Sequence, residues 1–121
     1  MVNTKIDYMY RDASNYKAYP EDDVIVSGEL SGFDIIPHTR EDNRFIPADI
    51  GLPELQSQLE GYPGEDDHIW HELISLEPTN EEPTVKITVA EIKKRLKKIE
   101  KNGWDESTAF KRHQQIFGVW G

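Results

Sequence analysis

Thr88-Val89-Ala90-Glu91-Ile92-Lys93-Lys94-Arg95-Leu96-Lys97-Lys98-Ile99-Glu100-Lys101-Asn102-Gly103 is the stretch whose reading decides the fold class. Val89, Ile92, Leu96 and Ile99 recur at helical spacing and make one apolar stripe. Lys93, Lys94, Arg95, Lys97, Lys98 and Lys101 cover the other faces. Thr88 and Glu91 have the spacing of a capping box, and Asn102-Gly103 supplies a residue able to take positive φ at the end. Cations near that end suit the helix dipole. The stretch predicts an amphipathic helix, and its stripe needs a partner, because a helix of ~12–15 residues is marginal alone.

Downstream, Asp105 is expected to start a second helix, with Ala109, Phe110, His113, Ile116 and Phe117 inward and an end at Gly118. Upstream, Glu77-Pro78-Thr79-Asn80-Glu81-Glu82-Pro83 reads as a polar connector, neither strand nor helix. Residues 68–76 carry apolar groups on both faces and predict a central strand. Residues 5–10 alternate, with Ile6, Tyr8 and Tyr10 on one face, as a half-buried strand does. Residues 24–30 are β-branched and predict a second strand, joined to the first as an antiparallel hairpin. Phe45-Ile46-Pro47 fits a brief edge strand, and Gly51-Leu52-Pro53 a short helix running to Leu59. Residues 11–20 and 61–67 read as turn or loop, and 31–44 carry no single period. The expectation is an α+β domain: a small antiparallel β-sheet with C-terminal α-helices. Residues 1–77 form its acidic, β-rich body, and 78–121 form a connector and basic helical segment docked on it.

Charge follows the same division. The chain of 121 residues has 14 Lys+Arg against 23 Asp+Glu, a net of −9. Residues 86–121 hold nine bases and four acids, whereas residues 1–85 hold five bases and nineteen acids. A +5 segment beside a −14 body favours docking within or between subunits, and a homo-oligomer is expected. The acidic body makes nucleic acid an unlikely partner and gives no reason to seek an anionic membrane. The absence of cysteine excludes a disulfide scaffold, a Cys-ligated metal site and a cysteine nucleophile. No apolar run approaches the ~18–20 residues of a membrane span, residues 1–7 lack the apolar stretch of a signal peptide, and cytoplasmic residence is expected.

Two clusters could carry chemistry. Tyr10-Arg11-Asp12-Ala13-Ser14-Asn15-Tyr16-Lys17 sets a guanidinium, a carboxylate, an amide, an ammonium and phenols at a strand end. Arg forks onto phosphate, Lys acts as a point charge, Tyr offers a stacking face and Asn reads a ring edge. The plain alternative is a turn in which Asp12 and Asn15 bond the local backbone and Arg11 pairs with a body carboxylate. In Asp67-His68-Ile69-Trp70-His71-Glu72 the spacing is His-x-x-His-Glu, not that of helical zinc hydrolases. On a strand His68, Trp70 and Glu72 share one face and Ile69 and His71 the other, so the imidazoles would diverge and no metal is expected. They serve either as hydrogen-bonded core groups or as ligand contacts. None of Ser14, Ser27, Ser31, Ser57, Ser75 and Ser107 has a Gly-x-Ser-x-Gly context, and no motif demands a cofactor.

These two clusters and Phe45-Ile46-Pro47-Ala48-Asp49-Ile50-Gly51-Leu52-Pro53, in this order, resemble a family of small uncharacterised bacterial and phage proteins over residues 5–76. The family's middle motif is closer to Phe-Ile-Pro-Glu-Gln-Val-Gly-Leu-Pro; Ala48 and Asp49 stand here in place of Glu-Gln. The resemblance implies membership and no particular activity.

The functional expectation is a non-enzymatic small-molecule binder: a phage or mobile-element anti-defence protein that sequesters a nucleotide-type immune signal. Arg11, Asn15 and Lys17 would hold phosphate and base edges, Tyr16 and Trp70 would stack, and His68 or His71 would add a hydrogen bond beside Asp12 and Glu72. The alternatives are an acidic interaction protein that inhibits a host protein, and a small metal- or His-dependent hydrolase. The binding reading gains if Arg11, Lys17 and Trp70 line one cavity and fails if they scatter over separate faces.

Overall fold

The alternation of residues 5–10 extends into strand β1 (Asn3–Arg11) in a computed structural model that describes residues 2–59, 62 and 67–117, of which 113–117 by backbone alone. Ile6, Tyr8 and Tyr10 point into the core and are almost fully buried. Along one edge β1 pairs antiparallel with β2 (Lys17–Ala18) and β3 (Val24–Val26). β4 (Arg44–Phe45) is the far edge, and β5 (His71–Thr79) lies between β1 and β4, giving a curled antiparallel sheet of order β2-β1-β5-β4. The expected hairpin is present, but residues 11–20 include β2, and β3 ends at Val26. Arg11 faces Lys17 and Ile6 faces Val24, so residues 19–23 stand against 7–9 and the longer side bows out.

The third strand differs from expectation at both ends. It begins at His71, so the alternation expected over 68–72 does not hold for His68, Ile69 and Trp70. It runs on through Glu77-Pro78-Thr79, which pair with β1, so the connector starts only at Asn80. β4 reaches only His71 and Glu72; beyond them β5 is an edge strand, where a proline is tolerated. The register shifts between Asp7/Ser75 and Tyr8/Leu73, leaving Ile74 unpaired in a β-bulge. The bulge resets the phase: Leu73 and Leu76 both pack on the core while Ile74 is exposed. The apolar residues on two faces of this segment are in part a product of that bulge.

Residues 31–44 break into α1 (Gly32–Ile35) and 3-10 turns at Ile36–His38 and Glu41–Asn43. An edge strand is present where expected but covers Arg44–Phe45, leaving Ile46 and Pro47 outside it, and Pro47 opens a 3-10 turn, Pro47–Ile50. Gly51 ends that turn at φ +80°, so no helix runs from Gly51 to Leu59; only Gln56–Gln58 coil again.

The decisive stretch is helix α2 (Val89–Asn102), capped by Thr88 Oγ1, which accepts the Glu91 N–H at 3.3 Å. The Glu91 carboxylate turns to Arg95 Nε, 3.4 Å away. Val89, Ile92 and Leu96 enter one core with Ile6, Tyr8, Tyr10 and Phe45, and Ile99 packs at its rim. Helix α3 (Glu106–Phe117) follows Asp105, whose Oδ1 accepts the Thr108 N–H at 3.1 Å. Ala109 is buried with Ile46 and Ile69, but Phe110, expected inward, is 53% exposed. The side chains of His113, Ile116 and Phe117, and the end expected at Gly118, lie outside the described residues. Among the described residues no helix is long and apolar enough to cross a membrane.

Candidate functional site

The turn after β1 is built by its own polar residues. Asp12 Oδ1 accepts the N–H groups of Ser14 at 3.0 Å and Tyr16 at 2.9 Å, an Asx arrangement that reverses the chain. Asn15 sits at φ +70°, a left-handed conformation that Asn tolerates better than most residues. The reversal sets Lys17 directly opposite Arg11. Tyr10 and Ala18 on the same strands are buried, so Arg11 and Lys17 project from the other side of the sheet. Across the sheet Met9 faces Glu72 and Glu72 faces Arg44. Lys17, Arg11, Glu72 and Arg44 therefore form a row over β2, β1, β5 and β4, on the face opposite Tyr10, His71 and Phe45.

Within this row Arg11 Nε lies 3.1 Å from Glu72 Oε2, and Arg11 Nη1 donates to Asn15 Oδ1 at 2.9 Å. Lys17 and Arg44 are exposed and make no ion pair among the described residues. Arg40, bridged to Arg44 through the backbone, lays its guanidinium 4.8 Å above the Trp70 ring and reaches Glu106 at 3.5 Å. Residues 1–85 contain five Lys and Arg, and four of them meet at this end of the sheet. The fifth, Lys5, pairs with Asp23 at 3.2 Å.

Beneath the row, the second cluster pins residues 53–55 and 67–70 to the sheet. The Tyr10 hydroxyl donates to Asp67 Oδ1 at 2.7 Å and accepts the His68 N–H at 3.0 Å. The Tyr8 hydroxyl donates to the Pro53 carbonyl at 2.6 Å. His68 Nδ1 accepts the Trp70 N–H at 3.0 Å, which leaves Nε2 to donate to the Arg11 carbonyl at 2.7 Å. Burial lowers the His68 pKa, and the Arg44 charge acts in the same direction. His71 is completely enclosed; its Nε2 accepts the Leu55 N–H at 2.9 Å, and its buried Nδ1 makes no hydrogen bond among the described residues. Burial takes this imidazole down to about 3. The two imidazoles do not diverge on opposite strand faces as expected. Because His68 lies outside β5, both flank the Tyr10 ring, at centroid distances of 5.0 and 5.3 Å. Among the described residues no three His, Asp or Glu side chains are grouped to hold a metal ion.

The fold thus gathers the residues singled out in the sequence at one end of the sheet, but at different depths. Arg11, Asp12, Asn15, Tyr16, Lys17 and Glu72 lie on the turn and outer face, with Tyr16 67% exposed. Trp70 is half-buried against Ile46, Ile69 and Ala109, and Arg40 stacks over its ring. His68 lies deeper, and His71 belongs to the core. Sequence reading missed Arg40 and Arg44, which sit in a stretch without periodicity; the scarcity of bases in residues 1–85 was the available signal.

None of the main cavities among the described residues is lined by Arg11, Lys17 and Trp70 together, so the one-cavity condition is not met. Two of these cavities lie elsewhere. One of about 810 Å³ between α2 and the start of α3 is lined by Lys94, Arg95, Lys98 and Trp104 among others, and by none of the residues singled out above. A groove of about 670 Å³ has Glu21, Asp22, Asp23, Glu54, Glu81 and Glu82 around Val24, Ile25, Leu55 and Val85. The chain matches no family model, no curated protein and no solved structure.

Proposed function

We propose that this chain is a non-enzymatic binding protein whose outer sheet row holds an anionic, nucleotide-type small molecule. The observation that carries the reading is the row itself. In a chain with 23 acids, Lys17 and Arg44 stand exposed without an ion-pair partner among the described residues, on either side of Arg11. Lys17 and Arg11 are also direct cross-strand neighbours, and the Glu72 carboxylate beside Arg11 offsets only one of their two charges. The remaining positive charge suits a surface that meets an anion. Asn15 and the exposed Tyr16 add an amide and a ring for a base. The role we infer for such a binder is sequestration of a nucleotide-type defence signal.

The imidazoles speak against a His-dependent hydrolase. Both His68 nitrogens and His71 Nε2 are committed to backbone groups, which leaves no accessible imidazole in the motif. The acidic groove favours a second reading, an interaction protein that inhibits a host protein through its acidic surface.

A calorimetric titration of wild type and Arg11→Lys against linear and cyclic nucleotides tests the proposal. Lysine cannot reproduce the guanidinium fork. Loss of a hydrogen bond to a charged group corresponds to roughly tenfold to a hundredfold in affinity. Equal affinities would remove Arg11 from the site. Absence of binding across the panel would leave the acidic-groove reading.

A further inference from the structure

The row is not uniformly positive. From β2 to β4 its order is Lys17, Arg11, Glu72, Arg44. One pole holds Lys17 and Arg11, the other holds Arg44, and between them stands the Glu72 carboxylate, paired with Arg11 at 3.1 Å. Arg11 and Arg44 are separated by two strand spacings and a two-residue offset, about 10–12 Å between backbones. A contiguous polyanion laid along this row would bring its charge onto Glu72. An anion held at one pole alone would leave the other unmatched.

We propose that the site is bipolar: it takes a ligand with two phosphoryl groups set apart by an uncharged middle, the chemistry of a dinucleotide and not of a mononucleotide or a pyrophosphate. One phosphoryl group meets Lys17 and Arg11, and the other meets Arg44. The neutral middle, with its hydrogen-bond donors, passes over the Glu72 carboxylate, which accepts hydrogen bonds and repels charge. The inference rests on the reading of this row as a nucleotide site and adds the number and spacing of the ligand's charges.

The test is calorimetry at fixed, moderate salt with adenosine 5′-monophosphate, inorganic pyrophosphate, 5′-phosphorylated diadenylate and cyclic diadenylate. At least one dinucleotide should bind about tenfold or more tighter than the monophosphate and pyrophosphate, as a second charged contact implies. Arg44→Ala should remove most of that advantage and change the monophosphate affinity by less than about threefold, since a single phosphoryl group goes to the pole with two cations. Arg44 is exposed, so the variant should fold, with an unchanged far-ultraviolet dichroism spectrum; Arg44→Gln, which keeps the length, repeats the test. Equal affinity for monophosphate and dinucleotide, or equal loss of both in Arg44→Ala, would overturn the bipolar site while the nucleotide reading stands. Pyrophosphate binding as tightly as the dinucleotide would do the same. A short single-stranded RNA binding more tightly than the dinucleotide would overturn the assignment to a small molecule. Failure of every nucleotide to bind would overturn both.

Discussion

His71 Nε2, in the centre of the sheet, accepts the backbone N–H of Leu55 at 2.9 Å, sixteen residues away in sequence. This bond requires a neutral imidazole, and burial holds the His71 pKa at about 3, well below its ordinary value. The unfolded chain takes up that proton near pH 6.5, so the bond's contribution is complete above about 6.5 and is lost as pH falls toward 3. His68, also lowered, adds in the same direction. Through His71, stability from urea unfolding should therefore fall by about 1.4 kcal/mol per pH unit as the solution is acidified from about 6.5 toward 3. His71→Leu should cost ~1–3 kcal/mol at pH 7, because it orphans the Leu55 N–H, and should flatten the pH slope. Parallel pH slopes in the two proteins would count against this assignment.

Gly51 caps the Pro47–Ile50 turn at φ +80°, and a Cβ there would collide with the Ile87 side chain. Gly103 has a similar φ of +78° at the end of α2 but open space around it. At Gly103 the ψ of 174° puts the backbone in a region essentially reserved for glycine, so Gly103→Ala should cost ~1–3 kcal/mol from the backbone alone. Gly51, with ψ 17°, is left-handed, and Gly51→Ala should cost about 2–4 kcal/mol, because Ile87 must also shift. Equilibrium unfolding measures both, and a Gly51→Ala loss of only ~1 kcal/mol, the left-handed penalty alone, would mean that Ile87 moves freely.

Leu96 is 2% exposed and joins α2 to the core of the sheet. Leu96→Ala should lose ~2–5 kcal/mol, as buried Leu truncations do. Chemical denaturation monitored by dichroism measures it. A loss under ~1 kcal/mol would show that the helix contributes little to the core.

Much of this fold was legible because local signals agreed. In β1 the alternation of Ile6, Tyr8 and Tyr10, and in α2 the stripe closed by Gly103, specify their own faces. What escaped was set by tertiary pairing. The Asp7/Tyr8 shift that frees Ile74 comes from the register of β1 against β5, which no single segment encodes. Pro78 in a strand reads as a break until β5 is seen to lack a second neighbour there. The candidate site was half legible. Arg11 and Lys17 are linked by a turn whose Asp12 and Asn15 are visible in sequence. Arg44 joins them only through β5, and its stretch is a chain of short 3-10 turns without a period.

Glu72 gives the sharpest single-residue test of the row. Its carboxylate is 3.1 Å from Arg11 Nε, with only 21% of its side chain exposed, and it faces Arg44 across the strand pair. Glu72→Gln keeps the shape and removes one negative charge. Arg11 retains its bond to Asn15, so the stability loss should stay near ~1 kcal/mol, the upper range for partly exposed pairs. Its effect on binding depends on where the ligand's charge falls. A pyrophosphate lying along the row meets Glu72 directly, and removal of a like charge at ~4 Å in a water-like medium is worth ~1 kcal/mol, roughly fivefold. A dinucleotide with its neutral middle over Glu72 gains less, because the lost charge also weakens an acceptor for its donors. Glu72→Gln should therefore narrow the preference for dinucleotide over pyrophosphate, and the narrowing should shrink as ionic strength rises and screening shortens. Calorimetry of both ligands at two salt concentrations measures the ratio. If the ratio is unchanged, or if pyrophosphate binds more weakly to Glu72→Gln, Glu72 serves only to hold Arg11, and the charge between the two poles has no part in selecting the ligand.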